Sequence, residues 1–169
     1  MRLTHVSQPT IYMKIPGIDG MVTESNHKKW IQLANISFGI KRDLHNQAGH
    51  MANREISKPE FSSITISKPH DASGTLLAQE SCAGLPKDKI VIHLCKTGAK
   101  GLVTQTEITL KDVHINAWHI NTQGDNDSSA ETAKLSFSHI EIKGYPYDEK
   151  GKQQTPQSFA YDLVQAQPA

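Results

Sequence analysis

At 169 residues, with 37% hydrophobic residues and a formal net charge of +1, the chain is the size of one domain with material for one core. Acids and bases are interspersed along it, which leaves no strong field to draw it to nucleic acid or to an anionic membrane. No apolar run nears the ~20 residues of a spanning helix, and residues 1–17 lack the apolar centre of a signal peptide.

Residues 10–15 (TIYMKI) alternate and predict a half-buried strand with Ile11, Met13 and Ile15 inward, closed by turn chemistry at residues 16–20 (PGIDG). Residues 30–41 read as a second strand with a change of phase: Ile31 and Leu33 share one parity, while Ile36, Phe38 and Ile40 take the other. Such a strand carries a bulge or passes between two sheets. Residues 42–61 hold no sustained period and read as a long loop. Loops beyond about 12–15 residues are uncommon inside compact domains and are usually functional or disordered. Residues 62–68 predict a strand with Ile64 and Ile66 inward.

The chain then stops reading as β-structure. In residues 67–85 (SKPHDASGTLLAQESCAGL) the residues Gly74, Leu77, Ala78, Ser81, Cys82 and Leu85 recur at helical spacing and form an apolar face of little bulk. A helix over about residues 71–83 is expected, with Asp71 or Ser73 as the capping acceptor, Gly84 as a left-handed stop and Pro86 barring continuation. The two cysteines, Cys82 and Cys95, read as buried thiols in a protein folded in the cytoplasm.

Residues 89–96 predict a strand, residues 98–101 a hairpin turn, and residues 102–110 and 113–121 two strands joined across Lys111 and Asp112. The latter changes phase, as does the strand over residues 132–143, where Leu135 and Phe137 hold one parity and Ile140 and Ile142 the other. Residues 122–131 read as a polar turn, residues 158–163 as a last strand and residues 164–169 as a loose tail. Three phase changes in three long strands predict a mainly β fold: a tightly coiled two-sheet barrel or sandwich with one flanking α-helix.

Nine histidines raise the question of a metal, yet no HExxH, CxxC or HxH spacing occurs. His45 and His50 fall in the long loop, His93, His114, His119 and His139 on strands, and His27 in a turn beside the Trp30 indole. There is no GxSxG, no phosphate-cradling glycine loop and no calcium-loop spacing, and Asp125, Asp127, Asp148 and Glu149 read as turn formers. The reading assigns no catalytic, metal or cofactor residues and expects a protein that is not an enzyme.

Seven segments in order, IYMKIPGIDG, NHKKWIQL, ISFGI, KPHDASGTLLAQESCAG, KIVIHLCKTG, ITLKDVHI and ETAKLSFSHIEIKGYPYDEKG, with a closing YDL, resemble the hemolysin-coregulated protein (Hcp) family of bacterial type VI secretion. The resemblance spans residues 11–163, leaves residues 1–10 as an N-terminal extension and implies no appended C-terminal domain. It implies a subunit that forms six-membered rings, which stack into an expelled tube whose lumen holds small effectors. Export would then start from the cytoplasm and need no signal peptide. The implied partners are further copies of the chain, other secretion components and effectors, with no nucleic acid and no membrane insertion. By the same resemblance the long loop serves assembly, through Arg42, Asp43, Leu44, His45, Asn46, Gln47, His50, Met51, Arg54 and Lys58. The residues expected to carry the family's structure are Ile15, Gly17, Gly20, His27, Trp30, Lys68, Asp71, Leu77, Cys82, Gly84, Asp112 and Phe137. Two other readings stand beside it: a monomeric β-sandwich that binds a glycan or peptide at its loops, and a metal-dependent hydrolase using scattered histidines.

Overall fold

A computed structural model describes residues 10–45, 55–98, 101–122, 124 and 129–169. In chain order the elements are β1 (Thr10–Lys14), β2 (Ile31–Leu33), β3 (Asn35–Ser37), β4 (Ile40–Lys41), β5 (Leu44–His45), β6 (Glu55–Ile56), β7 (Glu60–Phe61), β8 (Ile64–Pro69), α1 (Ser73–Ala83), β9 (Lys87–Gly98), β10 (Gly101–Asn121), β11 (Ala130–Ser136), β12 (His139–Gly144), β13 (Gln157–Asp162) and β14 (Gln167–Pro168). Among the described residues the fold is mainly β with one flanking helix.

The spine is β10, 21 residues long. Its first half pairs with β9 and with β12, and its second half, from His114 to Asn121, pairs with β11. Around the first half lie β1, β2, β9, β12, β13 and β14; around the second lie β11, β8 and β3, and every pairing is antiparallel. Both halves close on one core. Met13, Ile31, Ile92, Ile108, Leu110 and Ile140 enter it from the first, Ile64, Ile66, Ile115, Ala133 and Leu135 from the second, and Leu77 from α1. Burying an aliphatic side chain of this size stabilises by about 1.5–3 kcal/mol, so this shared interior is the main favourable term.

Each expected change of phase has a physical counterpart. The chain over residues 30–41 is not one strand but three: β2 pairs with β1, β3 pairs with β8, and β4 leaves the main sheet. The chain over residues 132–143 breaks at Phe137 and Ser138, where β11 ends and β12 begins. Residues 102–121, by contrast, form one strand, because Asp112 bends it without breaking it. Asp112 takes φ 49°, a conformation Asp tolerates better than most residues, and its carboxylate accepts the Ser138 hydroxyl at 2.8 Å. A bulge between Ile115 and Ala117 accounts for the remaining change of parity.

Two expectations are corrected at the ends of elements. Residues 122–131 do not all belong to a turn, since Ala130 and Glu131 already pair with Pro69 and Lys68. The tail expected to be loose forms β14, which pairs with Tyr161 and Asp162, and Ala169 N–H donates to the Ala160 carbonyl at 3.1 Å.

Candidate assembly surface and its supporting networks

The segment expected as a long loop is a paired arm over its described parts. Ile40 and Lys41 pair with Phe61 and Glu60, and further out Leu44 and His45 pair with Ile56 and Glu55, in two short sheets separate from the ten-stranded one. Its base is fixed: Gly39 N–H donates to Ser62 Oγ at 2.8 Å, Ser62 N–H donates to Gly39 O at 3.0 Å, and Phe61 packs on Tyr161 with ring centroids 4.9 Å apart. The Ser57 hydroxyl ties the two sides by donating to the Asp43 carbonyl. The Lys41–Glu60 pair at 3.0 Å is exposed on both sides, and such pairs add little to stability. A groove of about 270 Å³ runs between Ile40 and Phe61. Of the residues expected to serve assembly, Arg42, Asp43 and Lys58 are exposed. Leu44 and His45 are placed by their backbone pairing, and Asn46, Gln47, His50, Met51 and Arg54 lie outside the described residues.

Beneath the helix lies a buried ionic cluster. Lys68 follows Ile64 and Ile66 at inward parity on β8 and is 1% exposed. Its ammonium donates to Asp71 Oδ1 at 2.8 Å, to Pro69 O at 2.9 Å and to Glu131 Oε2 at 2.9 Å. Glu131 is equally buried, directly opposite Lys68 in the β8–β11 register, and His70 Nδ1 meets its other oxygen. The carboxylate presses on the first turn of α1: a Cβ added at Gly74 would fall 2.0 Å from Glu131 Oε1, so glycine is required there. A carboxylate near a helix N-terminus is favoured by the free N–H groups and the dipole. Asp71 Oδ1 also accepts Ser73 N–H at 2.8 Å and Ser73 Oγ at 2.5 Å, although Ala72 occupies the N-cap position itself. Burial works against the Asp71 charge, but the bonds from Lys68 and Ser73 outweigh it and hold the pKa below its ordinary 3.8.

A second polar network joins the connection between β1 and β2 to the face of β9 and β10. His27 Nδ1 contacts Glu24 Oε2 at 2.5 Å, His27 Nε2 contacts His93 Nδ1 at 2.9 Å, and His93 Nε2 contacts Glu107 Oε2 at 3.0 Å. Tyr12 lies 4.6 Å from the His27 ring, while Trp30 meets His27 edge-on at 4.8 Å and His93 at 4.7 Å. Above the pair opens a polar cavity of about 310 Å³, lined by Asn26, Thr104, Glu107, Tyr145 and Tyr147 among others. His27 is therefore a buried, carboxylate-linked residue and not a plain turn histidine.

The remaining motif residues hold the backbone. Ile15 is buried and bridges to Ile18 around Gly17, which takes φ 81°. Gly20 packs so closely on the next turn that a Cβ would sit 2.1 Å from Trp30 O. Gly84 closes the helix in left-handed geometry, its N–H donating to Glu80 O at 3.0 Å. Phe137 packs on the core at the β11–β12 corner. Cys82 departs from expectation: it is exposed, whereas Cys95 is buried. At 3.6 residues per turn Cys82 stands about 140° around the axis from Leu77, the centre of the buried face of Ser73, Gly74 and Leu77. Leu85, past the cap, is also exposed. A thiol reagent is therefore expected to modify one cysteine per native chain, Cys82, and two after denaturation. Burial also pushes the Cys95 thiol up, away from the reactive thiolate. Peptide mass spectrometry checks the site.

Sequence reasoning passed over Glu131, Glu24 and Glu107. One signal was available: a lysine at the inward parity of a strand needs a buried carboxylate partner, and Glu131 is that partner.

A model of the family described as "Type VI secretion system effector, Hcp" matches residues 12–143. The chain belongs to the Hcp family. Solved structures with the same fold include a type six secretion system protein, with TM-score 0.88 at 18% identity over 96% of this chain and 100% of that one. Hcp1 from Salmonella typhimurium superposes with TM-score 0.76 at 20% identity, covering 95% and 99% of the two chains. A type VI secretion system effector from Yersinia pestis follows with TM-score 0.69 at 18% identity over 90% and 98%. At these identities the likeness is one of fold. No curated protein matches the chain by sequence. This Hcp-family chain thus joins a type VI secretion identity to a β-body that carries a paired arm.

Proposed function

We propose that this Hcp-family chain is the tube subunit of a type VI secretion system. Six copies form a ring, rings stack into the expelled tube, and the lumen carries effectors. Export by the apparatus itself takes the subunit from the cytoplasm without a signal peptide, and the subunit contributes structure instead of chemistry. The observation that supports this beyond family membership is the arm, held at its base by Phe61 on Tyr161 and paired apart from the main sheet. A ring made by rotation needs two different patches on each subunit. An arm offers one such patch. Strands at the ends of the sheet, β3 and β14, offer backbone groups that a neighbouring subunit covers.

Deleting residues 46–53 tests the role given to the arm. The shortened chain is expected to keep its fold, since the core formed by the described residues is left intact, and to populate hexamers less than the full chain at equal concentration. Native mass spectrometry of both proteins checks it; an unchanged hexamer population would remove the arm from the account.

A further inference from the structure

We propose that the Glu24–His27–His93–Glu107 chain is an acid-sensitive latch that fastens the connection over residues 20–30 to the sheet. The connection is otherwise folded largely on itself. Gly20 N–H donates to Lys29 O, Val22 N–H to Trp30 O, Lys29 N–H to Val22 O, His27 N–H to Glu24 O and Trp30 N–H to His27 O. From Met21 to Trp30, His27 is the one residue that is fully buried. Its ring, beside the Trp30 ring on His93, ties this segment to β1 and β9.

Counting protons shows why the attachment responds to pH. Ionised carboxylates only accept, so His27 Nδ1 and His93 Nε2 each carry a hydrogen toward Glu24 and Glu107. The ring-to-ring contact at 2.9 Å needs one hydrogen more. Three protons on two rings make a single shared positive charge between two negative ones. His93 is the ring that stays neutral and accepts through Nδ1. Burial pushes its pKa below 6.5 and the neighbouring His27 adds to that, against the pull of Glu107. A fourth proton would set N–H against N–H and place two positive rings side by side.

Among the described residues no further anion faces the two rings to balance a second positive charge. From β1 comes Tyr12, from β9 Cys95 with Sγ 3.9 Å from His27 Nε2, and from β10 Thr104 with Oγ1 3.4 Å from His93 Nδ1. Burial raises both Tyr12 and Cys95, so neither is an anion at neutral pH. Tyr145 and Tyr147 face the cavity above Glu107, Lys96 lies over the Tyr147 ring, and Lys143, paired with Glu141, also feels Glu107 at longer range. Glu24 and Glu107 remain the only carboxylates bonded to the two rings among the described residues.

The sign follows. An unfolded or detached His93 takes its proton near pH 6.5, whereas the latched one resists it. Below about pH 6.5 the detached rings come to bind four protons where the latched pair holds three, so the latch weakens as pH falls below about 6.5.

Amide hydrogen exchange of the full chain, corrected for the intrinsic rate, tests this at about pH 6.5 and about pH 5, within and below the ordinary histidine range. Residues 20–30 are expected to lose protection roughly fivefold to tenfold at the lower pH, while β8 and β11 keep theirs. In His93→Gln, an amide that accepts from His27 and donates to Glu107 without titrating, protection should not fall at the lower pH. Should that variant fold poorly, Glu107→Gln serves in its place: without the carboxylate the latched His93 resists its proton more while the detached ring is unchanged, so the loss of protection should be at least as large as in the parent. Protection of residues 20–30 in the parent chain that is the same at both pH values would overturn the proposal, as would a fall of equal size in His93→Gln or a smaller fall in Glu107→Gln.

Discussion

Replacing Glu131 by alanine is expected to lower protomer stability by about 3–5 kcal/mol, the usual effect of removing one partner of a buried ion pair. Lys68 is 1% exposed and would be left with Asp71 and the Pro69 carbonyl alone, its second carboxylate gone. Urea denaturation at fixed protein concentration reads the effect as a lower midpoint. A second substitution sharpens the reading. Gly→Ala inside a helix ordinarily stabilises by about 1 kcal/mol, yet Gly74→Ala alone should destabilise, because its Cβ would overlap the Glu131 carboxylate. Where Glu131 is already alanine, the same change should stabilise. A sign that stays the same in both backgrounds would show that Gly74 and Glu131 are not coupled as the packing implies. The cluster also sets a low-pH limit. The Asp71 pKa is depressed, so its contribution is full above about 3.8 and fades as pH falls through the folded value.

Leu77→Ala is the second large expected effect, a loss of about 2–5 kcal/mol. Leu77 is fully buried and is the one large apolar side chain that α1 sends into the core; its buried companions there are Ser73 and Gly74. Around it the helix is held by smaller devices: the Asp71 acceptor at its start, the Gly84 stop, the Glu80–Lys87 pair at 2.7 Å and the contact of His114 Nδ1 with Gly84 O at 3.2 Å. Removing Leu77 therefore opens a cavity under the helix and frees it from β10. Hydrogen exchange should show faster opening of α1 than of β8 or β11, and calorimetry a lower Tm. Leu76→Ala, on the partly exposed side, should change stability by less than about 0.5 kcal/mol, as surface substitutions do.

The helix illustrates how far sequence reasoning reaches. Its place, its Gly84 stop and the role of Asp71 were legible because capping and termination are local. The orientation of its face was not, since Gly74 and Leu77 point inward for different reasons. Leu77 fills the core, and Gly74 makes room for a carboxylate 57 positions away in sequence. That displaced the buried face enough to leave Cys82 outside. The phase changes were legible for a related reason: alternation reports which face is buried, and it reverses wherever β2 gives way to β3 or β11 to β12. It could not distinguish a break from the bend at Asp112, where a residue that tolerates positive φ keeps β10 continuous. The arm escaped detection because pairings of two residues are too short to leave a period. The histidine chain escaped because its four members come from three separate stretches.

An electron micrograph of the purified full chain shows whether it assembles into rings. Annular particles with six-fold symmetry and a central opening are expected. A field of single compact particles, at concentrations where the chain is folded and in solution, would contradict ring assembly.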